Sequence, residues 1–146
     1  MDMDDGETHY DRVTETVDWI EDQTDIEPDV GLILGSGLGA LADELDEREA
    51  VDYASIPNFP VSAVEGHAGE LVFGRLEGED VVVMSGRVHY YEGWTMEEVT
   101  FPVRVFALMG IETMLVPNSA GGVNPEFQPG DLMLITDHLN LTGDNP

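Results

Sequence analysis

The sequence predicts an α/β fold with a mixed central sheet flanked by helices, and three observations predict it. Short apolar runs of buried-strand type, such as Val30-Gly-Leu-Ile-Leu34 and Val81-Val-Val-Met84, alternate with stretches of helical periodicity. Two of the runs, Leu71-Val-Phe73 and Val81-Val-Val-Met84, flank Glu77-Gly-Glu-Asp80, a hairpin signal that makes the sheet mixed rather than all parallel. Loops rich in small residues follow the other runs, at the strand ends where α/β folds place their ligands.

Each element has its own signal. Residues 8–24 place Tyr10, Val13, Val17 and Ile20 on one helical face and acidic residues on the other, and Asp25-Ile-Glu-Pro-Asp29 stops the helix. The run 30–34 is a buried strand ended by Gly35-Ser-Gly-Leu-Gly39, and residues 40–45 are expected to form a helix opening from that loop. The stretch 58–66 is turn-rich and expected to be irregular. A second helix is expected between Thr95 and Gly110. Thr95 and Glu98 have capping-box spacing, Gly110 suits the C-terminal cap, and Pro102 either kinks the helix or marks its start. Runs 114–116 and 132–135 are two further buried-strand candidates. Without repeats or a linker, the 146 residues are expected to be one domain. No helix follows the last apolar run, so the domain is expected to be truncated.

Charge excludes several functions. The chain carries 31 acidic residues against 5 arginines and no lysine, a net charge of −26. No basic stripe can be built for nucleic acid, and an anionic membrane surface repels the chain. At 42 % apolar residues it is not a disordered acidic tail, and no apolar run is long enough to span a bilayer. The acidic N-terminus is unlike a signal peptide, so a cytoplasmic location is expected. With no cysteine, disulfides, thiolate nucleophiles and Cys-ligated zinc are excluded. Such an excess of carboxylates suits concentrated salt, which screens self-repulsion, and a salt-adapted protein is expected.

Chemistry can gather at three places. Gly35-Ser36-Gly37-Leu38-Gly39 either presents backbone N–H groups and the Ser36 hydroxyl to an anion or is only a tight turn. Its spacing fits neither a Walker A loop nor the dinucleotide fingerprint. In Ser85-Gly-Arg-Val-His-Tyr-Tyr-Glu-Gly-Trp94, Arg87 and His89 alternate and share one side of an extended segment, a pairing that suits phosphate or carboxylate. Asn118-Ser-Ala-Gly-Gly122 lets a ligand approach the backbone, or is a plain turn. His67 lies in a flexible Gly-rich loop and suits a lid, although a lone loop histidine is commonly just solvated. His9 and His138 lack partners at metal-ligand spacing, so no metal site is expected. The acidic cluster 43–47 reads as a solvated face. Together the residues point to a small anion, phosphate first, at three strand ends.

The ordered motifs resemble the purine nucleoside phosphorylases of the trimeric, low-molecular-mass type. The matching stretches are Gly31-Leu-Ile-Leu-Gly-Ser-Gly-Leu-Gly39, Gly66-His-Ala-Gly69, Gly86-Arg-Val-His-Tyr-Tyr-Glu-Gly93 and Thr100-Phe-Pro-Val-Arg104. Asn118 through Gly122, Asn124-Pro125, Pro129-Gly-Asp131 and Asp137-His-Leu-Asn140 continue the set in the family's order. The resemblance implies the nucleoside phosphorylase fold. The implied activity is phosphorolysis of purine ribonucleosides or deoxyribonucleosides to base and (deoxy)ribose 1-phosphate, by a homotrimer. Inorganic phosphate is then a substrate, and no cofactor is implied.

Carried onto this chain, the resemblance sets phosphate against Ser36, Arg87, His89 and the backbone N–H of Ser119. His67 closes over phosphate or ribose, Tyr91 contacts ribose, and Glu92 orients His89 or the phosphate network; His89 and Glu92 are the catalytic candidates. Position 119 is Ser where the family often has Ala. The family's base-binding residues lie in a C-terminal half with no counterpart here, so these residues are expected to be the N-terminal part of a single phosphorylase domain. Two alternatives stay open: methylthioadenosine phosphorylase, and a non-catalytic phosphate-binding fragment.

Overall fold

A computed structural model describes residues 8–35, 37–62 and 69–146. Five strands form one sheet in the order β2-β3-β4-β1-β5: β1 (Val30–Ile33), β2 (Asp46–Asp52), β3 (Glu70–Leu76), β4 (Glu79–Ser85) and β5 (Thr113–Leu115). β4, β1 and β5 run parallel, whereas β2, β3 and β4 are joined antiparallel, so the sheet is mixed as the hairpin signal requires. The β3–β4 turn is tight because Glu77 and Gly78 both take left-handed backbone angles, with φ of 52° and 93°.

Period-two alternation divides the strands between two cores. Leu71, Phe73, Val82 and Met84 face one side, where they meet Val13, Val17 and Ile20 of α1 (His9–Glu21) and Phe101, Val105 and Phe106 of α2 (Met96–Leu108). Val72, Val81 and Val83 face the other, against Leu32, Leu34, Ala42 and Leu45. Both helices start as the sequence requires. Thr8 with Asp11, and Thr95 with Glu98, form reciprocal capping boxes. α2 ends in a Schellman arrangement: Gly110 (φ 88°) and Ile111 donate to the carbonyls of Ala107 and Phe106. Pro102 does not mark the start of α2, which begins six residues earlier and runs through it.

Three expectations need correction. The helix expected at 40–45 is a single 3-10 turn, Gly39–Asp43, whose N-cap Leu38 offers no capping side chain; so short a segment cannot offset helix nucleation. The acidic residues of the cluster 43–47 are solvated, as read, but from Asp46 the chain is also edge strand β2, with a register shift between Asp46 and Glu49. Its charges hide it from a propensity reading and also blunt the exposed edge. The strand expected at 132–135 does not form. Leu132 and Leu134 are almost fully exposed, and no described residue pairs with them. Among the described residues no helix is long and apolar enough to cross a membrane.

Candidate functional site

β4, β1 and β5 are parallel neighbours, so the loops leaving their C-terminal ends start side by side. They meet at Gly35. A β-carbon built there would stand 3.1 Å from Arg87 Nη1, 3.5 Å from Nη2 and 3.1 Å from the carbonyl oxygen of Pro117. Glycine therefore lets the guanidinium of the β4 loop lie on the backbone of the β1 loop, beside the β5 loop. Arg87 Nη1 is buried and, among the described residues, has no hydrogen-bond partner. Arg12, Arg48 and Arg75 each reach a carboxylate, and among the described residues Arg87 reaches none. In so acidic a chain that is a placement, since a buried unmet N–H of a charged group costs free energy until an acceptor meets it.

Two residues on, His89 is held by Glu92. Val88 between them is buried, while Arg87 and His89 flank it. Glu92 Oε1 accepts from the His89 backbone N–H (2.9 Å) and pairs with His89 Nδ1 (2.7 Å). Glu92 Oε2 accepts from the Ser62 hydroxyl at 2.8 Å. The bonds from His89, then from Ser62, hold the Glu92 carboxyl below its usual range, so it is ionised and only accepts. Opposite an ionised carboxylate, His89 Nδ1 is the donor, and in the neutral ring Nε2 is then an acceptor. Gly93, with φ 99°, ends the short turn that brings Glu92 back onto His89. The Tyr91 ring stacks on His89 at 4.8 Å and 18°, and is 80 % exposed.

Two supports lie far away in sequence. The buried Tyr53 hydroxyl donates to the carbonyl of Gly86 at 2.8 Å, fixing the backbone just before Arg87. Burial, with Glu70 nearby, raises the Tyr53 phenol far above its ordinary value, so it stays a neutral donor. Ser62 acts on Glu92 from 30 residues upstream. No local spacing in the sequence announces either residue; only the fold brings them to the loop.

Among the sequence-derived candidates, the structure gathers His89, Glu92 and Tyr91 into one cluster and sets Arg87 against Gly35. Ser119 is exposed, two residues beyond Pro117. Ser36 and His67 lie outside the described residues.

A charged donor atom buried where parallel strands end marks an α/β protein, in which ligands bind at that end of the sheet. Residues 29–146 match the phosphorylase superfamily, and the chain belongs to it. It is 55 % identical over 134 residues to purine nucleoside phosphorylase 1 of Geobacillus stearothermophilus, covering 92 % of this chain and 49 % of that protein. It is 52 % identical to the rat purine nucleoside phosphorylase, covering 94 % of this chain and 48 % of the relative. A solved structure of isoform 2 of the Schistosoma mansoni enzyme, in complex with cytosine and ribose-1-phosphate, superposes with a TM-score of 0.77 at 43 % identity. That match covers 84 % of this chain and 43 % of the other. The chain thus spans about half the length of the curated relatives it matches.

Proposed function

We propose that these residues supply the phosphate-binding part of a purine nucleoside phosphorylase, which converts purine (deoxy)ribonucleosides and inorganic phosphate to free base and (deoxy)ribose 1-phosphate. The observation that carries the reading is the buried Nη1 of Arg87, which lies against Gly35 and has no partner among the described residues. Phosphate sits on Arg87, His89 Nε2, the Ser36 hydroxyl and the Ser119 backbone N–H; His67 closes over it and Tyr91 meets the ribose. As the bond between the sugar and the purine nitrogen breaks, positive charge grows on the sugar. The held phosphate stabilises that charge and attacks from the opposite face, its oxygen forming the new bond to carbon while the electron pair leaves with the base. No enzyme nucleophile or cofactor is called for; the work is positioning and electrostatics.

Groups that hold the purine are proposed to come from polypeptide beyond these residues, as part of one domain. The half-length match and the exposed apolar run at 132–135 support this. The complete enzyme is proposed to be a cytoplasmic homotrimer, and the charge of −26 supports adaptation to salt. The relatives are purine nucleoside phosphorylases and give no support to a methylthioadenosine phosphorylase. A phosphate-binding role without catalysis remains the reading for the 146 residues by themselves.

The test is equilibrium dialysis of the chain against radiolabelled inorganic phosphate in molar KCl. The wild type is expected to bind, and Arg87→Gln to weaken binding about ten- to a hundredfold, since charge-assisted hydrogen bonds contribute roughly 1.5–3 kcal/mol. Equal binding by both would overturn the reading. Phosphate-dependent release of hypoxanthine from inosine is expected only when the chain is joined to the remainder of a relative.

A further inference from the structure

Glu92 has one oxygen doing double service. Its Oε1 takes both His89 bonds, from the backbone N–H and from the ring. A carboxylate so loaded on one side turns easily about its last torsion, whose preferences are broad. What holds it is on the other side: the Ser62 hydroxyl on Oε2 at 2.8 Å. Ser62 is half-buried and belongs to a segment anchored at its start. The Pro57 carbonyl accepts from Thr16 of α1 at 2.8 Å, and Asn58 Nδ2 donates to Glu15 at 2.7 Å. Phe59 packs on Tyr53 and Phe101, with ring centroids 4.8 and 6.5 Å apart. Tyr53, at the head of this segment, holds Gly86 through its hydroxyl. The stretch 53–62 therefore grips the Arg87–Glu92 loop at both ends, tying it to the α1–α2 layer.

We propose that Ser62 is a positioning residue for His89: by fixing Glu92 it sets the Nδ1–H tautomer, so that the Nε2 lone pair accepts from the P–O–H of bound hydrogen phosphate. The inference rests on the phosphate reading only for its second readout. The low-lying Glu92 carboxyl agrees with it, since the Ser62 bond is one of its causes.

The experiment uses the 146-residue chain in molar KCl, with the tautomers of its four histidines read by two-bond nitrogen–proton NMR correlation and His89 assigned by His89→Gln. Wild type is expected to show Nδ1–H at His89. Ser62→Ala is expected to populate Nε2–H and to weaken inorganic phosphate about three- to tenfold, a share of one hydrogen bond to a charged group. Ser62→Thr, which restores the hydroxyl, is expected to recover both within about twofold. Ser62→Cys keeps the volume with a weaker donor, and decides the matter if Ser62→Ala does not fold. An unchanged His89 tautomer in a folded Ser62→Ala or Ser62→Cys protein overturns the proposal. If wild type binds no phosphate, the functional reading fails, while the tautomer still decides the role of Ser62.

Discussion

Gly35 and Arg87 depend on each other. Arg87 Nη1 can be buried at the strand ends because residue 35 has no β-carbon, which would stand 3.1 Å from both Nη1 and the Pro117 carbonyl. Gly35→Ala is therefore expected to push the guanidinium aside by a few tenths of an ångström. Phosphate affinity should fall about tenfold, or ~1.4 kcal/mol, in the dialysis assay. The melting temperature should also fall modestly, because the Pro117 carbonyl at the same distance is backbone and yields less readily than the Arg87 side chain. Unchanged affinity would show that Gly35 serves the turn alone. At this scale the sequence was informative for His89, Tyr91 and Glu92, which are near neighbours on one loop. It was silent on Ser62 and Tyr53, whose partners lie 30 and 33 residues away.

Elements whose signals were local came out as the sequence predicts. Both capping boxes formed, and the β3–β4 hairpin turned at Glu77-Gly78. The misses have a common cause in tertiary context. β2 is a strand because β3 offers it a hydrogen-bonding edge, even though its residues are charged and exposed. The apolar run at 132–135 has strand composition and no described neighbour to pair with. Helix-on-sheet contact is close at Gly31, where a β-carbon would lie 2.8 Å from the buried Phe106 ring and 3.3 Å from Ile111. The fully buried Phe106 ring has little room to yield, so Gly31→Ala is expected to destabilise the chain by about 1–3 kcal/mol. In urea the midpoint should drop at constant slope. No loss of stability would mean that β1 and α2 pack less tightly than described.

For the whole molecule, charge dominates the response to solvent. A net charge of −26 on 146 residues repels itself in dilute buffer, whereas the Debye length falls to about 3 Å at 1 M salt. Circular dichroism is expected to show a folded spectrum in molar KCl and a loss of helix and of melting temperature in dilute buffer. An identical spectrum and melting curve in both would contradict the salt-adapted reading. The few cations do not offset the repulsion: the exposed pairs Arg12–Glu97 and Arg75–Asp80 are screened by the same salt, and such pairs contribute about 0–1 kcal/mol.

By itself the sequence determined what local physics determines. Apolar periodicity set the helices and the parallel strands, capping residues set where the helices begin, and composition set the charge. The same residues placed an arginine, a histidine and a glycine loop at strand ends, and their order carried the resemblance to purine nucleoside phosphorylases. Tertiary structure alone decided which groups complete that site. Strand order put β1 between β4 and β5, so that Gly35, Arg87 and Pro117 meet. The 53–62 segment brought the Tyr53 and Ser62 hydroxyls onto the Arg87–Glu92 loop. Contacts between residues distant in the chain leave no periodic trace in it, because only the folded sheet makes them neighbours.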